Sequence, residues 1–168
     1  MALAVRRVRA HARDDATGFE GFYASGFTSV YRATLAFTNS PEIAADATQE
    51  GFVRAFARWR RLRDQTWALG WVMTTSLNVA RKHQRDARRR APSNSASPVP
   101  SDEQSIARVD LVASLALLPT RQKQALVLHY IGGLRIEEIA ELMGISTGGV
   151  KSHLFKGRQA LIRDKEPS

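Results

Sequence analysis

Cysteine does not occur in this 168-residue chain. That rules out a disulfide framework, a thiol sensor and a cysteine-based zinc site, and it agrees with a reducing, cytoplasmic setting. No apolar run approaches the roughly 20 residues that a membrane helix needs, so no membrane insertion is predicted. Glycine and proline are sparse, 11 and 6 residues, and no segment alternates apolar and polar residues as a half-buried strand does. The four histidines, His11, His83, His129 and His153, are scattered without ligand spacing. No carboxylate cluster suggests a two-metal site. The chain is therefore expected to carry no catalytic residues, no metal and no cofactor.

Basic residues, by contrast, are plentiful. Lysine and arginine number 25 against 16 acids, for a formal net charge of +9. A balance of this sign points to acidic partners, nucleic acid first among them. Most of the charge is arginine, whose planar fork suits phosphates and guanine. The 43% hydrophobic content is enough for real cores. Residues 1–18 interrupt their apolar positions with arginines and offer no signal-peptide core. They read as a flexible basic tail.

Between Ala91 and Gln104 the composition turns to Pro, Ser and small polar residues with nothing to bury, which predicts a flexible linker. Helical signals flank it on both sides. Upstream, Phe19, Phe22, Tyr23, Phe27, Val30 and Tyr31 recur at helical spacing. Ser40-Pro41-Glu42 is a helix start, with an N-cap, a proline in the first turn and an acid beside it. That helix is predicted to reach about Leu62 and to bury Ile43, Ala47, Phe52, Val53, Phe56 and Trp59. A third helix runs from about Trp67 to Arg90, apolar in its first half and strongly basic in its second. Trp67 and Trp71 are assigned to the core. Downstream, a helix over Ile106–Leu117 is followed by a break at Leu118-Pro119, with Thr120 as N-cap of the next helix and Gly132-Gly133 ending it.

Residues 133–161, GLRIEEIAELMGISTGGVKSHLFKGRQAL, carry the strongest signal. Ile136, Ile139, Ala140 and Met143 form one apolar stripe; Gly144 supplies a left-handed stop; Ser146 is a good N-cap. In the helix that follows, Val150, Leu154 and Leu161 face inward while Lys151, Ser152, His153, Lys156 and Arg158 stay outside. The pattern is that of a helix-turn-helix, which places its second helix in the DNA major groove.

The order of motifs along the chain resembles a bacterial sigma factor of the extracytoplasmic-function group of the sigma-70 superfamily, over about residues 19–163. Asp46-Ala-Thr-Gln49-Glu50-Gly-Phe52 is similar to that family's region 2 segment, which docks on core RNA polymerase. Trp71-Val72 followed by Asn78 resembles the helix that captures the promoter −10 element. Leu117-Leu118-Pro119-Thr120-Arg121-Gln122 resembles the entry to region 4, and Gly144 to Ser152 its recognition segment.

The resemblance implies an all-α fold of two small helical domains: region 2 over 19–90, a flexible linker over 91–104, and region 4 over 105–163, with a tail over 164–168. It implies core RNA polymerase and promoter DNA as partners, with an anti-sigma factor as a third. Asp46, Gln49, Glu50 and Arg54 are then expected to meet polymerase. Arg61, Arg63, Asn78, Arg81, Lys82, Arg85, Arg88 and Arg89 are expected at the −10 element, with Asn78 on a base edge, the loop of Arg61 and Arg63 at the edge of a pocket for an extruded base, and Arg81, Lys82, Arg85, Arg88 and Arg89 on phosphates. Ser146, Thr147, Gly148, Lys151, Ser152, His153, Lys156 and Arg158 are expected at the −35 element. Three positions depart from the family pattern: Arg135 in place of a Ser or Thr cap, Lys82 in place of a frequent acid, and Leu77 where many members carry Arg.

Three other readings fit less well. A response-regulator-type transcription factor shares the recognition helix but needs a βαβ receiver, for which the N-terminal half has no pattern. A nucleic-acid-processing enzyme needs a catalytic cluster. A chromosome-coating protein would explain the charge but not the order of motifs.

Overall fold

The computed structural model describes residues 2–90, 111 and 113–164, with side chains from residue 17 onward. The described residues are helices and turns, without strands, as predicted. They form α1 (Ala2–Thr38), α2 (Pro41–Ala57), α3 (Trp59–Leu62) and α4 (Ala68–Arg90). Then come α5 (residues 113–117), α6 (Thr120–Leu126) running into a π-helical turn (Val127–Ile131), α7 (Ile136–Met143) and α8 (Thr147–Arg163). The predicted linker, the first part of the predicted helix over 106–117 and residues 165–168 lie outside the described residues.

Residues 2–18 were expected as a flexible tail, but their backbone is the start of α1. That helix ends where Asn39 turns left-handed at φ 52°. Ser40 then caps α2, its hydroxyl accepting from the Ile43 amide at 3.4 Å, with Pro41 in the first turn as predicted. α2 stops five residues short of the predicted Leu62. At Arg58 (φ −115°) the backbone leaves the helical path, and the bend delivers Trp59 and Leu62 into the core at 7% and 3% exposure. Trp59 there meets Phe19 and Phe22 at ring distances of 5.3 and 4.9 Å. Phe52, 2% exposed, takes the edge or face of Phe19, Phe22, Tyr23 and Phe27. Val53 and Phe56, predicted to be buried with them, are instead 58% and 56% exposed. Trp67 and Trp71 are half-buried and pack on the core, and Leu77, at the family's frequent Arg position, is buried in it.

α2 carries small buried residues at Ala44, Ala47, Thr48 and Gly51, and at Gly51 it crosses α4 closely. A Cβ on Gly51 would land on Ser76 Oγ and lie 3.3 Å from the Val72 carbonyl oxygen. Gly51→Ala should therefore destabilise the protein by about 1–3 kcal/mol through overpacking. Adding Ser76→Ala, which deletes the colliding oxygen, should restore part of that loss in urea denaturation. Equal stabilities of Gly51→Ala and the wild type would contradict the close crossing.

In the second module Pro119, not Thr120, occupies the N-cap position of α6; proline's own φ and extended ψ suit that place. The helix-turn-helix forms as predicted. Gly144 has φ 64°, and the Ile145 amide donates back to the Ala140 carbonyl at 3.0 Å. The Ser146 hydroxyl accepts from the Gly149 amide at 3.0 Å. Ile139, Ala140 and Met143 of α7 and Val150 and Leu154 of α8 are buried. Arg121 ties α6 to this unit by donating to the Met143 carbonyl at 3.2 Å. The start of α7 is held despite its unusual Arg135 cap: the Glu138 carboxylate reaches back to the Arg135 amide at 2.8 Å. That backbone hydrogen bond holds the Glu138 carboxyl below the usual carboxylate range, with the Arg135 guanidinium adding to it.

The two modules are in contact, which their sequences did not announce. Buried residues of α1, α4, α6, α7 and α8 form one continuous core.

Candidate nucleic-acid and protein interfaces

Three surfaces gather the side chains singled out from the sequence. The first is the outer face of α8. Its N-terminal turn carries no acid and no bulky side chain, since Ser146 is followed by Thr147, Gly148 and Gly149. Backbone amides at such an end attract anions. Ser146, Thr147, Gly148, Lys151, Ser152 and Lys156 are exposed, and His153 is half-buried. Arg158 is exposed too, but it donates to the Tyr130 hydroxyl at 3.1 Å and borders an apolar hollow of about 350 Å³ with Leu126, Tyr130 and Leu161. It is thereby drawn toward the α6 side of the helix. Two residues missed in the sequence belong to the outer face: Phe155, 57% exposed, and Gln159, also exposed. Their three- and seven-residue spacing from Ser152 was the available signal. An aromatic inside a helix reads as core, so nothing local in the sequence marks Phe155 as exposed.

The second surface is the basic half of α4 with the turn before it. Arg81, Lys82, Arg85, Arg88 and Arg89 are exposed, as are Arg61 and Arg63. Arg63 Nε lies 3.7 Å from the Asp64 carboxylate, and the Arg58 guanidinium sits 5.6 Å over the Trp71 ring. Gln84 fastens α4 to the end of α1 through the Thr38 carbonyl at 2.8 Å, so the basic half is held on a rigid support.

The third is a groove of about 900 Å³ between α2 and α4. Asp46, Gln49, Glu50 and Arg54 line one wall and Asn78, Lys82 and His83 the other, with Phe27 and Val79 between them. Glu50 and Arg54 pair across one helical turn at 2.8 Å, both about half exposed; a pair this open adds little stability but pre-orients both groups. Asn78 and Lys82, expected with the promoter-contacting residues, thus share a groove with the residues expected to meet polymerase. The exposed Val53 also lines it, adding an apolar contact to a polar wall.

Among the described residues no group of three or more His, Cys, Asp or Glu could hold a metal ion. No helix there is long and apolar enough to cross a membrane.

Residues 23–90 match the model of sigma-70 region 2, and residues 108–161 that of sigma-70 region 4. The chain is 32% identical over 143 residues to the ECF RNA polymerase sigma factor SigE of Mycolicibacterium smegmatis, covering 79% of this chain and 55% of that protein. It therefore spans little more than half the length of that relative. Against the ECF RNA polymerase sigma factor SigC of Mycobacterium tuberculosis it is 29% identical over 163 residues, covering 93% of this chain and 88% of the relative. Among solved structures, the sigma factor RpoE in complex with the anti-sigma factor NepR from Bartonella quintana superposes with a TM-score of 0.74 at 19% identity. That match covers 87% of this chain and 95% of the other, a likeness of fold.

Proposed function

The chain belongs to the sigma-70 family, in its extracytoplasmic-function group, and on that premise we propose that it binds core RNA polymerase and directs promoter-specific transcription initiation at −10 and −35 elements. The observation that carries this reading is the pairing, in one chain, of the α2–α4 groove with a capped helix-turn-helix whose outer face is polar and basic. Neither surface alone implies initiation; together they offer one protein-docking face and two DNA-reading faces. In this reading Asp46, Gln49, Glu50 and Arg54 meet the polymerase, with Val53 supplying apolar contact beside them. Asn78 reads a base edge, since its amide both donates and accepts. Arg81, Lys82, Arg85, Arg88 and Arg89 hold phosphates along the opened strand, and the turn carrying Arg61 and Arg63 edges a pocket for an extruded base.

At the −35 element, Ser146, Thr147, Gly148, Ser152 and His153 lie nearest the bases, and Lys151, Lys156 and Arg158 hold the backbone. Phe155 joins them as a contact for a thymine methyl group. The protein acts in the cytoplasm, carries out no chemistry of its own, and has an anti-sigma factor as a third partner. The response-regulator reading loses support, because α1–α4 leave no room in the N-terminal half for a βαβ receiver.

Asp46→Ala with Glu50→Ala tests the docking wall. The double variant should fail to co-purify with core polymerase while keeping its helical content. Undiminished co-purification would remove this wall from the interface. On the −35 side, Lys156→Ala should weaken binding to every sequence alike and reduce the salt slope of binding by roughly one unit. A slope equal to that of the wild type would take Lys156 out of the phosphate set.

A further inference from the structure

α1 is 37 residues long. Among the described side chains, those it gives to the core run from Phe19 to Phe37. Phe19 already stands at the end of the bundle, its ring meeting Phe56 in the last turn of α2 and Trp59 at the start of α3, at 4.9 and 5.3 Å. A Cβ on Gly18 would lie 3.7 Å from the Trp59 indole. Residues 2–17 carry the helix past that point by roughly 24 Å, at about 1.5 Å per residue. They do so beside α3 and the turn into α4, where Arg58 and Arg61 are exposed.

Residues 2–13 include Arg6, Arg7, Arg9 and Arg13 and no acid, and the first turn of α1 holds none either. Helical register sets Arg6, Arg9 and Arg13 along one side of the helix, with Asp14 and Asp15 off that side. The three span about 10 Å of axis, the rise of about three phosphates of one strand at roughly 3.4 Å each. Other acidic partners fit this segment less well. A helix that lies on a lipid surface carries Trp, Phe or Leu along its apolar side, and a protein interface is anchored by aromatic residues. By register the apolar side here is Ala4, Val5, Val8 and Ala12, too small for either task.

We propose that the first turns of α1 are a basic arm that grips the phosphate backbone of promoter DNA beside the −10 element, through Arg6, Arg9 and Arg13 and whatever the base sequence. This rests on the sigma-factor reading above and adds a third DNA contact to its two reading faces. The place of the arm follows from the fold: α1 continues past the turn that carries Arg61, which that reading sets at the −10 pocket. An arm of about 24 Å reaches along roughly seven base pairs at about 3.4 Å each. Its contacts therefore fall within that distance of the −10 element. Such contacts position the protein without reading sequence, and their strength falls steeply with salt.

The test uses the full chain assembled with core polymerase, on promoter DNA with a pre-melted −10 element. Replacing Arg6→Gln, Arg9→Gln and Arg13→Gln together should leave co-purification with core polymerase unchanged. The salt slope of promoter binding should fall by roughly two to three units, one lost phosphate contact lowering it by about 0.7–0.9. Affinity at about 0.15 M salt should drop about tenfold or more, equally for all flanking sequences. Arg6→Lys, Arg9→Lys and Arg13→Lys together keep the charge and should restore the slope. Hydroxyl-radical cleavage should show backbone protection within about seven base pairs of the −10 element, present with wild type and lost in the glutamine variant. An unchanged slope and footprint, in an assembly whose wild type initiates, would overturn the arm alone. Loss of co-purification would overturn it too, by placing the arginines on protein. So would arginine-dependent binding to vesicles of anionic phospholipid with no change on DNA. A wild-type chain that binds neither polymerase nor promoter would instead overturn the sigma-factor reading, and the arm with it.

Discussion

Phe52→Ala should cost about 3–5 kcal/mol, the loss expected for a fully buried phenylalanine. Phe52 is 2% exposed and sits where four aromatic rings of α1 converge at 4.9 to 6.4 Å. Removing it takes away its own burial and the edge-to-face contacts that order Phe19, Phe22 and Tyr23. The cavity would lie between α1 and α2, away from the helix-turn-helix. Thermal unfolding should fall by on the order of 10 °C, and co-purification with polymerase should weaken, because α2 carries the proposed docking wall. Phe56→Ala is the matched control: its ring is 56% exposed and meets the Phe19 ring at 4.9 Å, so its loss should be far smaller. Equal losses for the two phenylalanines would contradict the assignment of inside and outside on α2.

The other large effect is expected at Asn78. It is exposed on α4, where the apolar half of the helix gives way to the basic half. Losing a base-edge contact should cost on the order of 1–3 kcal/mol in discrimination, or roughly tenfold to a hundredfold in initiation from a preferred promoter. Asn78→Ala should co-purify with core polymerase, initiate poorly, and relax its preference at one −10 position. Because Asn78 shares the groove with Asp46, Gln49 and Glu50, the opposite result is equally readable. If the variant fails to co-purify, Asn78 belongs to the protein-docking wall and not to the DNA-reading face.

Much of this architecture is written locally. Ser40-Pro41-Glu42, Gly144 and Ser146 each satisfy a helix end with their own backbone or side chain, and each stands where the sequence placed it. The stripes of α7 and α8 were equally legible, since both helices bury one narrow face. The errors fall where distant packing decides. Helical spacing puts Phe52, Val53 and Phe56 near one another, but only the position of α1 determines that Phe52 goes in and the other two stay out. The bend at Arg58 follows from the burial of Trp59 among rings some 40 residues earlier. Lys123 looks like a solvated cation in sequence; its partner Phe37 is 86 residues away. The meeting of Asn78 with Asp46 and Glu50 depends on the close α2–α4 crossing that Gly51 permits. No local pattern carries these facts.

Run-off transcription with purified core polymerase and a pool of promoter fragments tests the central claim most directly. Core polymerase alone should give no defined transcript, and core with this chain should give discrete start sites downstream of shared −10 and −35 sequences. Asp46→Ala with Glu50→Ala should abolish them, and Asn78→Ala should reduce them. Transcripts no different from those of core alone, in the presence of folded chain that binds polymerase, would contradict the account.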